Sequence, residues 1–157
     1  MEYRDVRNAL DVGLRASGSG LAGHGSTWRL STPQLVWVLG LDRLPYGHQF
    51  GVDLGVHLNE LGGSSESLGP TDCPILLHLE NIPLSDGVER TEIVRSLDLD
   101  VDMPDEERRS TIERIGSVLG AFVRSHATLQ DLRDAYAEGA LASAFIRKDA
   151  RTLLLEH

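Results

Sequence analysis

The 157-residue chain predicts an α+β fold, with a single antiparallel meander sheet of about four to five strands and helices packed on its apolar face. Three observations lead there. Segment 47–59 alternates apolar and polar residues with the period of a half-buried strand, and 34–42 is strand-like with one more apolar face. Segments 2–16 and 104–123 space their apolar residues as helices do. The first strand-like segments follow one another through short turns, without the crossover helices that a parallel sheet requires.

Residues 2–16 place Tyr3, Val6, Leu10, Gly13 and Leu14 on one stripe, with Arg4, Asp5, Arg7, Asn8, Asp11 and Arg15 mostly elsewhere, so the chain opens with a helix. The next stretch, S-G-S-G-L-A-G-H-G, contains Gly18-x-Gly20-x-x-Gly23, the spacing of a pyrophosphate loop. Asp42 even stands about 20 residues downstream, where a ribose-binding acid would be expected. The flanks are inverted, however. A pyrophosphate loop lies between a strand and a helix, because the helix N-terminus supplies free N–H groups and the positive dipole end. Here a helix precedes the glycines and Thr27–Ser31 reads as a strand, so the glycines are expected to end the helix and bind no dinucleotide.

Strands 34–42 and 47–59 are joined by the turn-like R-L-P-Y-G. Phe50, Val52, Leu54, Val56 and Leu58 share one face of the second, and Leu35, Trp37, Leu39 and Leu41 the apolar face of the first. Keeping these faces together requires odd positions to pair with even ones, which Leu41 with Phe50, Leu39 with Val52 and Trp37 with Leu54 satisfy. The same parity turns Trp28 and Leu30 toward the core. Residues 61–73 read as a surface loop, and 74–80 as a fourth strand with Ile75, Leu77 and Leu79 opposite Leu76, His78 and Glu80.

A fifth strand is expected within 91–101, where Leu97, Leu99 and Val101 alternate with Asp98, Asp100 and Asp102. Pro104 then starts a helix carrying Asp105, Glu106 and Glu107 in its first turn, with Ile112, Ile115, Val118, Leu119, Phe122 and Val123 as its buried stripe. Thr128-x-x-Asp131 forms a capping-box pattern for a shorter helix, and Gly139 is expected to break it before a final helix containing Leu141, Phe145 and Leu153. The reading is one domain over 1–154. Leu155-Glu156-His157 matches the start of a polyhistidine tag and is expected to be an expression remnant.

With 24 acidic and 15 basic residues the formal charge is -9, which disfavours sequence-independent nucleic-acid binding and favours a basic protein partner. Cys73 is the only cysteine, so an intrachain disulfide and any multi-cysteine metal site within the chain are excluded. The N-terminus lacks a signal pattern, and no apolar run approaches the ~20 residues of a membrane span. A cytoplasmic location follows as the expectation. Lys148 is the only lysine among the basic residues, and this arginine bias points to a bacterium with a GC-rich genome.

Gly20-Leu21 with Gly25, the strand Thr27-Trp28-Arg29, the strand 50–56 (F-G-V-D-L-G-V) and the late T-L-Q-D-L at 128–132 together resemble a bacterial family catalogued as domain of unknown function 4304. The resemblance spans most of the chain through short motifs. It implies a fold pattern and a bacterial source, and carries no activity or catalytic residue.

Candidate chemistry falls in two places. The second sheet face carries Asp53 and His57 on one strand and His78 and Glu80 on another, with Arg29 farther off, a set suited to acid–base work or ligand binding. Asp53 and His57 stand roughly 13 Å apart along their strand and cannot share a metal ion, which leaves His57 with His78 as the expected close pair. Gly51 and Gly55 on this face fit a shallow groove or a closely approaching backbone. The other place is the acidic run Asp98, Asp100, Asp102, Asp105, Glu106 and Glu107. Its start imitates a calcium loop, but Met103 and Arg109 stand where the turn glycine and bidentate glutamate belong, so no metal is expected. Cys73 precedes Pro74 at the end of a loop with no sequence-local histidine to activate it, and is expected to be a structural or incidental thiol. No catalytic motif or cofactor signature is present. The sequence therefore reads as a protein-binding module that uses its acidic surface or second sheet face; the alternative is a small-ligand protein or enzyme using Arg29, Asp53, His57, His78 and Glu80.

Overall fold

A computed structural model of the chain describes residues 1–63, 68–84 and 88–156, so part of the expected 61–73 loop lies outside the described residues. The architecture is α+β. Six antiparallel strands, β1 (Ala22–His24), β2 (Thr27–Ser31), β3 (Leu35–Arg43), β4 (Phe50–Leu58), β5 (Ile75–His78) and β6 (Phe145–Ile146), stand in chain order across one sheet. The helices are α1 (Tyr3–Ala16), α2 (Arg90–Ser96), α3 (Asp105–Ser125), α4 (Leu129–Ala137) and α5 (Lys148–Leu155). The meander topology agrees with the alternation, while the strand number exceeds the expected four to five.

The expected faces are observed. Trp28, Trp37, Leu39, Leu54, Leu77, Ile115 and Leu119 are fully buried in one core with Val52 and Phe122. The register differs by two residues: Leu41 pairs with Val52, Leu39 with Leu54 and Trp37 with Val56. Side-chain period is two, so this slip preserves every face, and alternation alone cannot detect it.

α1 crosses α3 at close range. A methyl group on Gly116 would lie 2.6 Å from the Leu10 carbonyl oxygen, and one on Gly13 would collide with the Glu113 carbonyl. Glycine lets the two backbones approach, which explains why Gly13 belongs to the buried stripe of α1. Gly18 and Gly20 then take φ of 68° and 85°, turning the chain from α1 into the β1–β2 hairpin.

Two expected elements are corrected. Residues 91–101 do not form a fifth strand: 90–96 is α2, and only Gln49 and Asp98 make an isolated bridge beyond it. The cause is Arg108, which is 2% exposed. Its guanidinium donates to the carbonyls of Arg95 (3.1 Å), Ser96 (2.9 Å), Asp98 (2.7 Å) and Val101 (2.6 Å), satisfying the C-terminal end of α2 and curling the acidic segment into turns. The final helix is also shorter than expected. Leu141 lies in a turn and Phe145 in β6, whereas Leu153 does belong to α5, which runs through Leu155. Thr128 caps α4 as its pattern predicts, accepting from the Asp131 N–H at 3.1 Å.

Candidate functional site

The register sets what the second sheet face can do. Arg29, Val38, Gly55, Leu76 and Phe145 form one row across the strands, Gly40, Asp53 and His78 the next, and Val36 and His57 the row on the other side. His78 therefore stands opposite Asp53, and its Nδ1–H donates to Asp53 Oδ1 at 2.6 Å. The Asp53 side chain is 20% exposed and that of His78 53% exposed, so this pair faces solvent at one end of the face.

The expected pairing of His57 with His78 is not formed. His57 lies opposite Val36, four residues along β4 from Asp53, and is buried. Glu80 also leaves the set, because β5 ends at His78 and Glu80 falls in the 3-10 turn Leu79–Asn81, where strand alternation no longer governs direction. Arg29 donates to the Leu68 carbonyl and stands in the row between that of the dyad and that of His57. Of the five residues, Asp53 and His78 are brought together by a hydrogen bond.

Much of the middle of this face is covered. The 3-10 turn Pro70–Asp72 lies on it, so a methyl group on Gly55 would stand 2.6 Å from the Pro70 carbonyl oxygen and 2.7 Å from Cys73 Sγ. On Gly40 it would stand 2.9 Å from Pro70 Cγ. These glycines serve close approach of another backbone, not a groove. Val36, Val38 and Cys73 form a small apolar cluster there. Burial pushes the Cys73 thiol up to about 11, Asp72 adds to the shift and Arg29 opposes it.

The acidic run gathers where the α2–α3 connection meets the N-terminus and the β3–β4 turn. Its members are not equivalent. Asp98 accepts from Gln49 Nε2 at 3.2 Å and from the Asp100 N–H at 3.0 Å, which ties it into the turn. Asp100 accepts from His48 Nδ1–H at 2.8 Å and from the His48 main-chain N–H at 3.3 Å. These His48 hydrogen bonds hold its carboxyl below the ordinary carboxylate range.

Asp100, Asp102 and Asp105 line one depression of about 320 Å³ together with Met1, Leu99, Val101, Met103 and Arg108. Glu107 lines a separate depression of about 220 Å³ on the other side of Met103, and Glu106 is exposed. Arg108 is the residue that sequence reasoning missed. An arginine among Glu107, Arg109 and Ser110 carries no local mark of burial; the helical phase it shares with Ile112, Ile115 and Leu119 was the available signal.

A larger cavity of about 600 Å³ adjoins the acidic depression, sharing Met1 and Leu99 and lined also by Tyr3, Arg43, His48 and Phe50. Among the described residues no group of three or more His, Cys, Asp or Glu is arranged to hold a metal ion, and no helix is long and apolar enough to cross a membrane. Compared with models of known families, with curated proteins and with solved structures, the chain gives no match.

Proposed function

We propose that the chain is a protein-binding module whose partner presents a basic segment to the Asp100, Asp102 and Asp105 depression. The observation that supports this most is convergence: three carboxylates from two elements surround one concavity, with Asp100 bonded to His48 and Asp105 paired with the Met1 amino group at 3.9 Å. The surrounding Leu99, Val101 and Met103 give a partner's aliphatic stem apolar surface to lie on, as lysine and arginine prefer. Asp98 belongs to the turn's framework, and Glu106 and Glu107 act as a flanking negative field that also suits the N-terminus of α3. We also hold to a cytoplasmic setting and a bacterial source.

The alternative reading, a small-ligand protein or enzyme on the second sheet face, rests on the 2.6 Å bond between His78 and Asp53. That arrangement orients an imidazole through Nδ1 and leaves Nε2 for a ligand or a proton transfer. His57 and Glu80 stand apart from this dyad.

Selection of peptides from a charge-varied display library against the whole chain tests the proposal, followed by chemical-shift mapping of an enriched peptide. Net-basic peptides should be enriched, shift the resonances of Asp102 and Asp105, and lose affinity to Asp102→Asn with Asp105→Asn. Enrichment indifferent to charge, or shifts confined to Asp53 and His78, would transfer the function to the other face.

A further inference from the structure

We propose that the cavity of about 600 Å³ between the first turn of α1 and the β3–β4 turn binds a small planar anion of the aromatic-carboxylate class. Its volume suits such a ligand. The apolar wall is made of the Tyr3 and Phe50 rings, whose centroids lie 5.6 Å apart at a tilt of 47°, with Leu99 beside them. Phe50 is buried at the start of β4, so this wall is anchored in the sheet instead of being carried on a mobile tip.

The polar rim is cationic in a chain of net charge -9. The Arg43 guanidinium lies 6.0 Å from the Tyr3 ring and 5.9 Å from the Phe50 ring, and these ring contacts are the only interactions of this side chain among the described residues. The Arg4 side chain makes no ion pair or hydrogen bond among the described residues, nor does the Tyr3 hydroxyl make a hydrogen bond there. Arg15 pairs with Asp11, Arg114 with Glu92 and Arg147 with Asp149, whereas Arg4 and Arg43 have no carboxylate partner among the described residues. Two arginines therefore line one cavity against Glu2 as its single acidic lining residue. Asp100, the next carboxylate, is occupied by His48, whose Nδ1–H it accepts, leaving the His48 Nε2 for a ligand.

These parts define the ligand. A flat ring gains an offset or edge contact with Tyr3 and Phe50, and a carboxylate gains the fork of Arg43 with Arg4 in support. A neutral ring keeps only the first interaction and inorganic phosphate only the second. The site shares Met1 and Leu99 with the acidic depression but recognises the opposite charge, so it stands or falls independently of the basic-partner proposal.

The test is titration of the whole chain, followed by NMR, with three probes: indole-3-acetate, indole-3-acetamide and inorganic phosphate. Indole-3-acetate should saturate and shift Tyr3, Phe50 and Leu99. The acetamide and phosphate should each bind at least about tenfold more weakly, the scale of one lost charge-assisted hydrogen bond. Arg43→Gln, at an exposed position, should weaken the acetate by a similar factor without moving core resonances, and Arg4→Gln should weaken it in the same direction. No saturation by about 10 mM, a range that admits only the weakest specific binding, would overturn the site. Equal binding of the acetamide would remove the anion requirement, equal binding of phosphate would remove the aromatic one, and indifference to both arginine substitutions would place any binding elsewhere.

Discussion

Cys73 concentrates what single residues on the second face contribute. Its thiol is buried against Val36 and Val38, and this burial raises it to about 11. The folded value lies above the unfolded one, so the stabilisation that comes from keeping the thiol neutral is complete below the unfolded value and is lost as pH rises toward about 11. At pH 8 the folded chain thus holds less thiolate than the unfolded chain. Iodoacetamide should accordingly alkylate Cys73 much more slowly in buffer than in urea at the same pH; equal rates would mean that the Pro70–Asp72 turn does not stay closed over the sheet. The structural role of this cysteine was legible from its isolation in the sequence. Its neighbours were not, because they come from β3, some 35 residues earlier, roughly the separation at which local pattern says nothing. The same limit explains the candidate dyad. Alternation put Asp53, His57 and His78 on one face, but only the β4–β5 register decides which carboxylate or imidazole meets His78, and that register selects Asp53.

At the scale of elements, local periodicity succeeded wherever an apolar stripe was long. α1, α3 and the β3–β4 pair follow their patterns to within a few residues. It failed at 91–101, where three alternating apolar residues suggested a strand. Burial does follow the apolar members, with Leu97 buried and Leu99 and Val101 half-buried, but the backbone is shaped by Arg108 from the next helix, not by strand pairing. A tertiary donor outweighed a weak local signal. The α1–α3 crossing has an effect opposite in sign to helix propensity. Gly116→Ala in an isolated helix would stabilise by about 1 kcal/mol. Here the new methyl meets main-chain atoms, 2.6 Å from the Leu10 carbonyl oxygen and 3.0 Å from the Leu14 nitrogen, which cannot yield by a side-chain rotation. The helices must move apart, and overpacking should dominate, for a net loss of about 1–3 kcal/mol in urea denaturation. An unchanged or raised midpoint would show that the helices pack less tightly than these distances state.

Over the whole molecule, charge is divided between ends and faces. The excess of 24 acidic over 15 basic residues is not spread evenly: Asp100, Asp102 and Asp105 surround one depression, while Arg4 and Arg43 line the adjacent cavity. A basic partner should therefore be steered to the acidic depression before any close contact forms, since a concentrated field acts over about a Debye length. Testing this requires carboxylates that do not hold the fold. Asp98 and Asp100 fail that condition, because they bond Gln49 and His48 across the turn, so neutralising them would loosen the connection and the binding surface together. Asp102 meets it among the described residues, and Asp105 nearly so, its one ion pair being to the Met1 amino group at 3.9 Å. With an enriched basic peptide or protein as the ligand, Asp102→Asn with Asp105→Asn should lower the association rate more than it raises the dissociation rate, and should leave the thermal midpoint close to that of the parent. The parent's association rate should fall as salt is raised over roughly 20–300 mM, and the double variant's should fall less steeply. Parallel salt slopes in the two proteins would show that these carboxylates do no steering and confine the acidic run to supporting α3 and its preceding turn.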